Sequence, residues 1–265
     1  VMPPPMVRAL TRFELSLPRR FQVEGVLTVS TPLAERFIAT GLPEARVRAI
    51  QYGYDAERFR PADTPPEAGP PVVLMHGSFD QHHLGRIARE TVLRVTQARP
   101  DTVFRFVGRE TPSLQRFVRE LRREQPEAKL ETTGFVAYAD VAREVRQATL
   151  GWVPYEESNG THCAFVAKAV EYLGCGIPVA STPLENLRRY FRDELALRFS
   201  PDFSGAGLAA AVLAWLETPA SERQRLGRAA SERVARNLDW SRVTAAAADF
   251  VEAVVVENRV GIRTR

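Results

Sequence analysis

The chain has 265 residues, of which 45% are apolar and 26% charged, and a net charge of +4. That balance excludes an intrinsically disordered chain and sets the scale at one large domain, or one domain with part of another. Among the 36 basic residues only Lys129 and Lys168 are lysines, and the arginines are interleaved with acids, as in Arg119-Glu120-Leu121-Arg122-Arg123-Glu124, which argues against a nucleic-acid surface.

In chain order, the pattern predicts a helix over Arg8–Arg20, a strand over Gly25–Val29, a helix over Pro32–Thr40 and a strand over Arg46–Ile50. Thr31 before Pro32 reads as a helix start and Gly41 as its stop. Two strands and two helices cannot form an independent layered domain. The apolar residues Leu10, Phe13, Leu17, Val26, Leu27, Val29, Leu33 and Phe37 are therefore expected against a closing helix, a missing N-terminal domain, a partner chain or a second copy in a homodimer. Residues 61–71, with five prolines, read as a stiff hinge.

Beyond the hinge, strands are predicted at Val72–His76, Thr102–Val107, Lys129–Thr132, Leu150–Val153, Ile177–Ser181 and Leu195–Phe199. Helices alternate with them at Leu84–Ala98, Pro112–Arg123, Ala139–Ala148, Cys163–Gly174 and Leu184–Tyr190, followed by Gly205–Glu217, Ser221–Asn237 and Trp240–Glu257. This alternation predicts an α/β fold, a Rossmann-like doubly wound parallel sheet over 72–238, with a partial second α/β segment at 1–60 and a closing helix at 239–265. No apolar stretch reaches the ~18–20 residues of a membrane span and no signal peptide opens the chain, so membrane contact is at most peripheral. Cys163 and Cys175 fit neither a disulfide framework nor a zinc spacing, which suits a reduced, cytoplasmic protein. The sequence starts at Val1 rather than Met, as a processed or partial product would.

Ligands of open parallel sheets bind beyond the carboxyl ends of the strands. The residues there are His76-Gly77-Ser78, Gly108-Arg109, Gly134-Phe135-Val136, Tyr155 to His162, and Thr182. A helix opening after the polar loop 155–162 offers free N–H groups to an anion, and Glu171 further along it can accept hydroxyls. A diphosphate joined to sugars has both features, so a nucleotide-sugar is the first candidate ligand. Plainer alternatives stand beside each feature. Gly77 and Gly108 suit a tight turn as well as a phosphate, and Lys168 and Glu171 suit an ion pair on a helix surface. His76, His82, His83, His162 and Cys163 could form a zinc site, and Cys163 beside His162 a nucleophile.

Several segments resemble the retaining GT-B glycosyltransferases, in particular the large family four (group 1) of enzymes acting on nucleotide-diphosphate sugars. Val26–Pro61 resembles that family's domain junction, Phe104–Gly108 (FRFVG) and Thr133–Val136 (TGFV) its strand ends, Ala167–Thr182 its glutamate helix and strand, and Asn237–Val243 its closing helix. The resemblance implies the donor-binding half of such an enzyme with the end of its acceptor domain at 1–60, and sugar transfer with retention. It implies that Glu171 binds the ribose, Phe135 and Val136 flank the base, and Gly77 and Ser78 lie under the diphosphate. The loop Asn159, Gly160, Thr161, His162 and Cys163 would cover the donor sugar, with Gly108, Arg109, Tyr155 and Lys168 completing the set. The Arg and Lys that the family places after its first strand are absent, and Ser78, Gln81, His82, His83 and Arg86 stand there instead, with His82 and His83 expected to act as cations titrating at about 6.5. Cys163 replaces the first Glu of the family's E-x7-E pair. The resemblance assigns no catalytic base, and no metal or other cofactor is expected. A non-catalytic partner that has kept the fold is the alternative.

Overall fold

The computed structural model describes residues 4–63 and 69–263. The middle of the hinge predicted at 61–71 thus lies outside the described residues, and the flanking parts have no regular structure.

The first segment runs α1 (Pro4–Arg20), β1 (Val26–Thr28), α2 (Thr31–Ala39) and β2 (Val47–Ala49). The strands pair in parallel, Val26 opposite Val47. Ser30 rather than Thr31 caps α2, accepting the Leu33 N–H at 3.2 Å. A small apolar cluster of Ala34, Leu42 and Val47 holds the unit together. Its outer face stays open, with Leu10, Phe13 and Leu27 exposed and the other apolar residues expected to need cover half-buried. The closing helix, α11 (Trp240–Arg263), covers part of the rest: the Arg48 guanidinium lies 5.8 Å from the Phe250 ring centroid.

The remaining elements are β3 (Val72–His76), α3 (Arg86–Ala98), β4 (Val103–Val107), α4 (Pro112–Glu124), β5 (Lys129–Thr132), α5 (Tyr138–Arg146), β6 (Leu150–Val153), α6 (Asn159–Cys163), α7 (Ala167–Gly174), β7 (Val179–Ser181), α8 (Glu185–Tyr190), β8 (Leu197–Phe199), α9 (Gly205–Glu217) and α10 (Ala220–Leu238). All six strands are parallel, in the order β5-β4-β3-β6-β7-β8. The chain winds outward from β3 in one direction and from β6 in the other, so the order reverses between them. This is the doubly wound, Rossmann-like sheet that the alternation predicts. The central strands are apolar but for His76 at the end of β3, because helices cover both faces, and every residue of β3 and β6 is buried.

The first segment is stitched to the end of α10. Tyr54 donates its N–H to Leu238 O at 2.9 Å and accepts from the Trp240 N–H at 3.1 Å, while Asp239 accepts the Ala56 N–H at 3.3 Å. Among the described residues no helix is long and apolar enough to cross a membrane.

One predicted element divides. The helix expected over Cys163–Gly174 is two helices, α6 and α7, with Ala164–Val166 drawn out between them. Ser158 and Thr161 form a capping box that starts α6 ahead of Cys163. Phe165 is then pulled onto Tyr190 and Phe191, at centroid distances of 5.5 and 6.3 Å, and Asn186 donates to Ala164 O at 3.3 Å. Those tertiary contacts outweigh three more residues of helix. Cys163 therefore ends a short helix instead of opening a long one.

Candidate functional site

A cleft of about 680 Å³ opens at the carboxyl ends of β3, β4 and β6, where the strand order reverses. Nine of the residues expected from sequence line it: Gly77, Ser78, Gly108, Arg109, Phe135, Val136, Tyr155, Lys168 and Glu171. Two glycines shape its floor. Gly77 and Gly108 have φ of +104° and +148°, in the region that disfavours side chains. A Cβ on Gly108 would collide with the Gly77 carbonyl, so that glycine serves the close strand-end turn. A Cβ on Gly77 would instead press on Lys168, 3.0 Å from its Cε, so glycine here lets the ammonium stem pass over the strand end.

The two charges of α7 go separate ways. Lys168 Nζ donates to the Tyr155 hydroxyl at 2.9 Å, and among the described residues no carboxylate lies within 4.0 Å of it. Burial pulls its pKa from 10.5 down to about 8, with the more distant Glu171 and Asp80 acting the other way. Glu171 is buried, its Oε2 3.2 Å from His76 Nε2 and its Oε1 accepting from Tyr138 Oη at 3.5 Å. The surface ion pair between them is therefore not formed. Burial, followed by the nearby Glu171, pushes the Tyr138 phenol up to about 12, so it stays a proton donor.

Opposite these groups the rim is apolar. Phe135 is 72% exposed, with the Arg109 guanidinium 5.8 Å from its ring centroid. An exposed aromatic face held beside a cation is a surface on which a flat ring can stack. The cleft thus combines a hydroxyl acceptor (Glu171), an uncompensated cation above glycine backbone (Lys168), and an aromatic platform (Phe135).

His76, already noted among the strand-end residues, also lines it, as do Val107, Thr111, Tyr138, Val141 and 164–167, which were not singled out as binding residues from sequence. Tyr138 lies two residues beyond the strand-end segment Thr133–Val136, so extending that segment into the next helix would have found it. His76 is the last residue of an all-buried strand, and a polar residue there is itself a signal.

Eight expected residues do not line this cleft. Arg86 is exposed at the start of α3. His82 is exposed and gives its carbonyl to the Glu156 N–H. His83 stacks on Tyr155 at 4.5 Å, its Nδ1 3.0 Å from Asp80 Oδ1. Burial and the Lys168 charge lower its pKa to about 4, which corrects the expectation of a cation titrating near neutrality. Asn159, Gly160 and Thr161 belong to α6, where Asn159 O accepts from Arg36 at 3.3 Å and Thr161 closes the capping box. His162 lines a separate cleft with α8, its Nδ1 accepting the Glu185 N–H at 3.3 Å. Cys163 is buried, and burial raises its thiol pKa, the opposite of what a nucleophile needs. The histidines and Cys163 proposed above as a zinc set are thus dispersed, and among the described residues no three His, Cys, Asp or Glu side chains are grouped to hold a metal.

Residues 86–249 match the profile of a family described as Glycosyl transferase-like. Over 207 residues the chain is 25% identical to glycogen synthase from Mycobacterium tuberculosis (strain ATCC 25618 / H37Rv), a match covering 77% of this chain and 48% of that protein. The chain thus spans about half the length of the curated relatives it matches. Sucrose-phosphate synthase from Thermosynechococcus elongatus has the same fold, with a TM-score of 0.72, 21% identity, and coverage of 88% of this chain and 58% of that one. So does Anabaena Alr3699/HepE in complex with UDP and glucose, with a TM-score of 0.73, 18% identity, and coverage of 91% and 66%.

Proposed function

The chain belongs to the glycosyl transferase-like family, and on that premise we propose that it carries the donor half of a GT-B glycosyltransferase that moves a sugar from a nucleotide diphosphate to an acceptor with retention. Residues 72–238 form the donor domain in this proposal, residues 1–60 the end of the acceptor domain, and 61–71 the hinge. The observation that carries it is the uncompensated Lys168 ammonium, drawn toward neutrality and set over Gly77 one helical turn from Glu171. A half-buried cation without a counter-ion is costly, and an anionic ligand removes the cost.

In this arrangement the base stacks on Phe135, the ribose hydroxyls donate to Glu171, and the diphosphate sits on Gly77 and Ser78 against Lys168. Binding a diphosphate restores the full charge of Lys168. As the glycosidic bond breaks, negative charge grows on the departing phosphate, and a preorganised ammonium in a partly water-excluded site stabilises it. Arg109, exposed at the rim, adds a second positive group. The side chains thereby supply the charge that a metal would otherwise bring, so no metal is assigned. Glu171 has His76 at one oxygen and Tyr138 at the other, which holds the carboxylate plane while hydroxyls approach. UDP is the first nucleotide to try, because Anabaena HepE is seen with it. The test is calorimetric titration with UDP, GDP and ADP: one should bind, and a folded chain that binds none refutes the proposal.

A second reading is favoured by one observation. Cys163, where the resemblance places the first Glu of the pair, is buried and offers no carboxylate to a donor sugar. A partner that binds nucleotide-sugar without transferring it would tolerate that loss. Donor turnover, measured as release of nucleotide diphosphate with added acceptor domain, separates the two.

A further inference from the structure

A second cleft, of about 970 Å³, opens at the carboxyl ends of β7 and β8. The end of α6 lies between the two, with His162 lining the second cleft and Ala164 the first. Arg188, Arg189 and Arg192 stand along its wall, with Pro183, Phe199 and Phe203 supplying apolar surface. Of the acids around it, Glu35 and Glu185 are compensated by an arginine, while Glu157 meets an imidazole and Asp202 a hydroxyl. Glu35 and Glu185 both bind Arg189, at 2.6 and 2.5 Å, and Glu157 faces His162 Nε2 at 3.5 Å. Asp202 takes the Ser204 hydroxyl. That leaves Arg188 and Arg192, both exposed, and among the described residues neither has a carboxylate within 4.0 Å.

We propose that this cleft binds an anionic group, phosphate or carboxylate, carried on a sugar ring. Each free guanidinium can fork two N–H groups onto one oxyanion, and among the described residues Arg188 and Arg192 have no counter-ion until an anion joins them, whereas Arg189 already holds two glutamates. The apolar C–H face of the ring lies against Phe199 and Phe203, beside the cations that fix its charged end. The role of this ligand rests on the transferase reading: two clefts divided by a five-residue helix suit a donor in one and the anionic end of its acceptor in the other.

The experiment titrates glucose 6-phosphate, glucuronate and glucose into the chain and into an Arg188→Gln/Arg192→Gln double variant, with UDP titrated into both. Both arginines are exposed, so the variant should fold. One charged sugar should bind the wild type more tightly than glucose, by about tenfold or more, and the variant should lose that margin while keeping its UDP affinity. Preference between the two charged sugars decides phosphate against carboxylate. Equal binding of glucose and both charged forms overturns the proposal. So does an unchanged margin in the variant, or a parallel loss of UDP affinity, which would place the arginines in the donor site. Discrimination of charged sugars by a wild type that binds no nucleotide would refute the transferase reading and leave the anion cleft standing.

Discussion

Replacing Lys168 by Met separates the cost of its charge from its use. Burial lowers its pKa from 10.5 to about 8, so the folded chain holds fewer protons than the unfolded chain between those values. Stability therefore rises with pH across that window, and the cost of keeping the ammonium charged is felt in full below pH 8. The size of the shift sets that cost at about 3 kcal/mol, which residual water at the partly exposed side chain trims toward 2. The variant escapes this cost but loses the hydrogen bond to Tyr155, worth about 1–1.5 kcal/mol. Urea unfolding at pH 7.5 should thus find the variant as stable as the wild type or slightly more so. At pH 9.5 the wild type should have gained about 1–2 kcal/mol relative to the variant. Nucleotide binding should move the opposite way, being weaker in the variant at pH 7.5. In the wild type affinity should hold up to about pH 8 and then fall by as much as tenfold per pH unit, because the bound state carries the extra proton. Parallel stability profiles for the two proteins would refute the account of a desolvated cation, and an unchanged affinity would remove Lys168 from the ligand.

Glu171→Ala should weaken nucleotide-sugar binding by about 1–3 kcal/mol, and calorimetry on the folded variant checks it. His83, held neutral with a pKa near 4, binds its proton more readily unfolded, so acidification from pH 6.5 toward 4 should cost the wild type on the order of 1 kcal/mol at pH 5 once solvent screening of the partly exposed ring is taken into account, a slope that His83→Phe flattens in pH-dependent unfolding. Gly227→Ala would drive a Cβ into the Gly176 carbonyl, where α10 meets the turn after α7, and should lower stability by about 1–3 kcal/mol in thermal melts while leaving nucleotide affinity unchanged. Chelator should leave donor binding untouched, as titration before and after treatment would show.

Much of the site was legible because it sits at places that sequence period alone marks. Apolar runs bounded by glycine located the strand ends of β3 and β4, and with them Gly77, Gly108 and Arg109. The alternation that predicted a parallel sheet also predicted where its ligand would lie. Less legible was anything that depends on which way a side chain turns. His83 and Tyr155 meet only because the loop after β3 packs against the one after β6, and the burial that results, with the Lys168 charge, keeps His83 neutral. The zinc and nucleophile readings failed for the same reason, since a shared position at the strand ends says nothing about the direction in which side chains point.

The sequence by itself determined the strands, their parallel, doubly wound arrangement and the position of Glu171 on a helix beside the sheet's carboxyl end, because hydrophobic period is a local property. Tertiary structure decided the break between α6 and α7, where aromatic contacts from α8 outweigh helix propensity. It also decided the charge states. Lys168 and Glu171 are three residues apart and suit an ion pair, yet each is claimed by a different element, Tyr155 for one and His76 with Tyr138 for the other. Desolvation and partner choice are set by neighbours distant in the chain, and only the packed molecule brings those neighbours together.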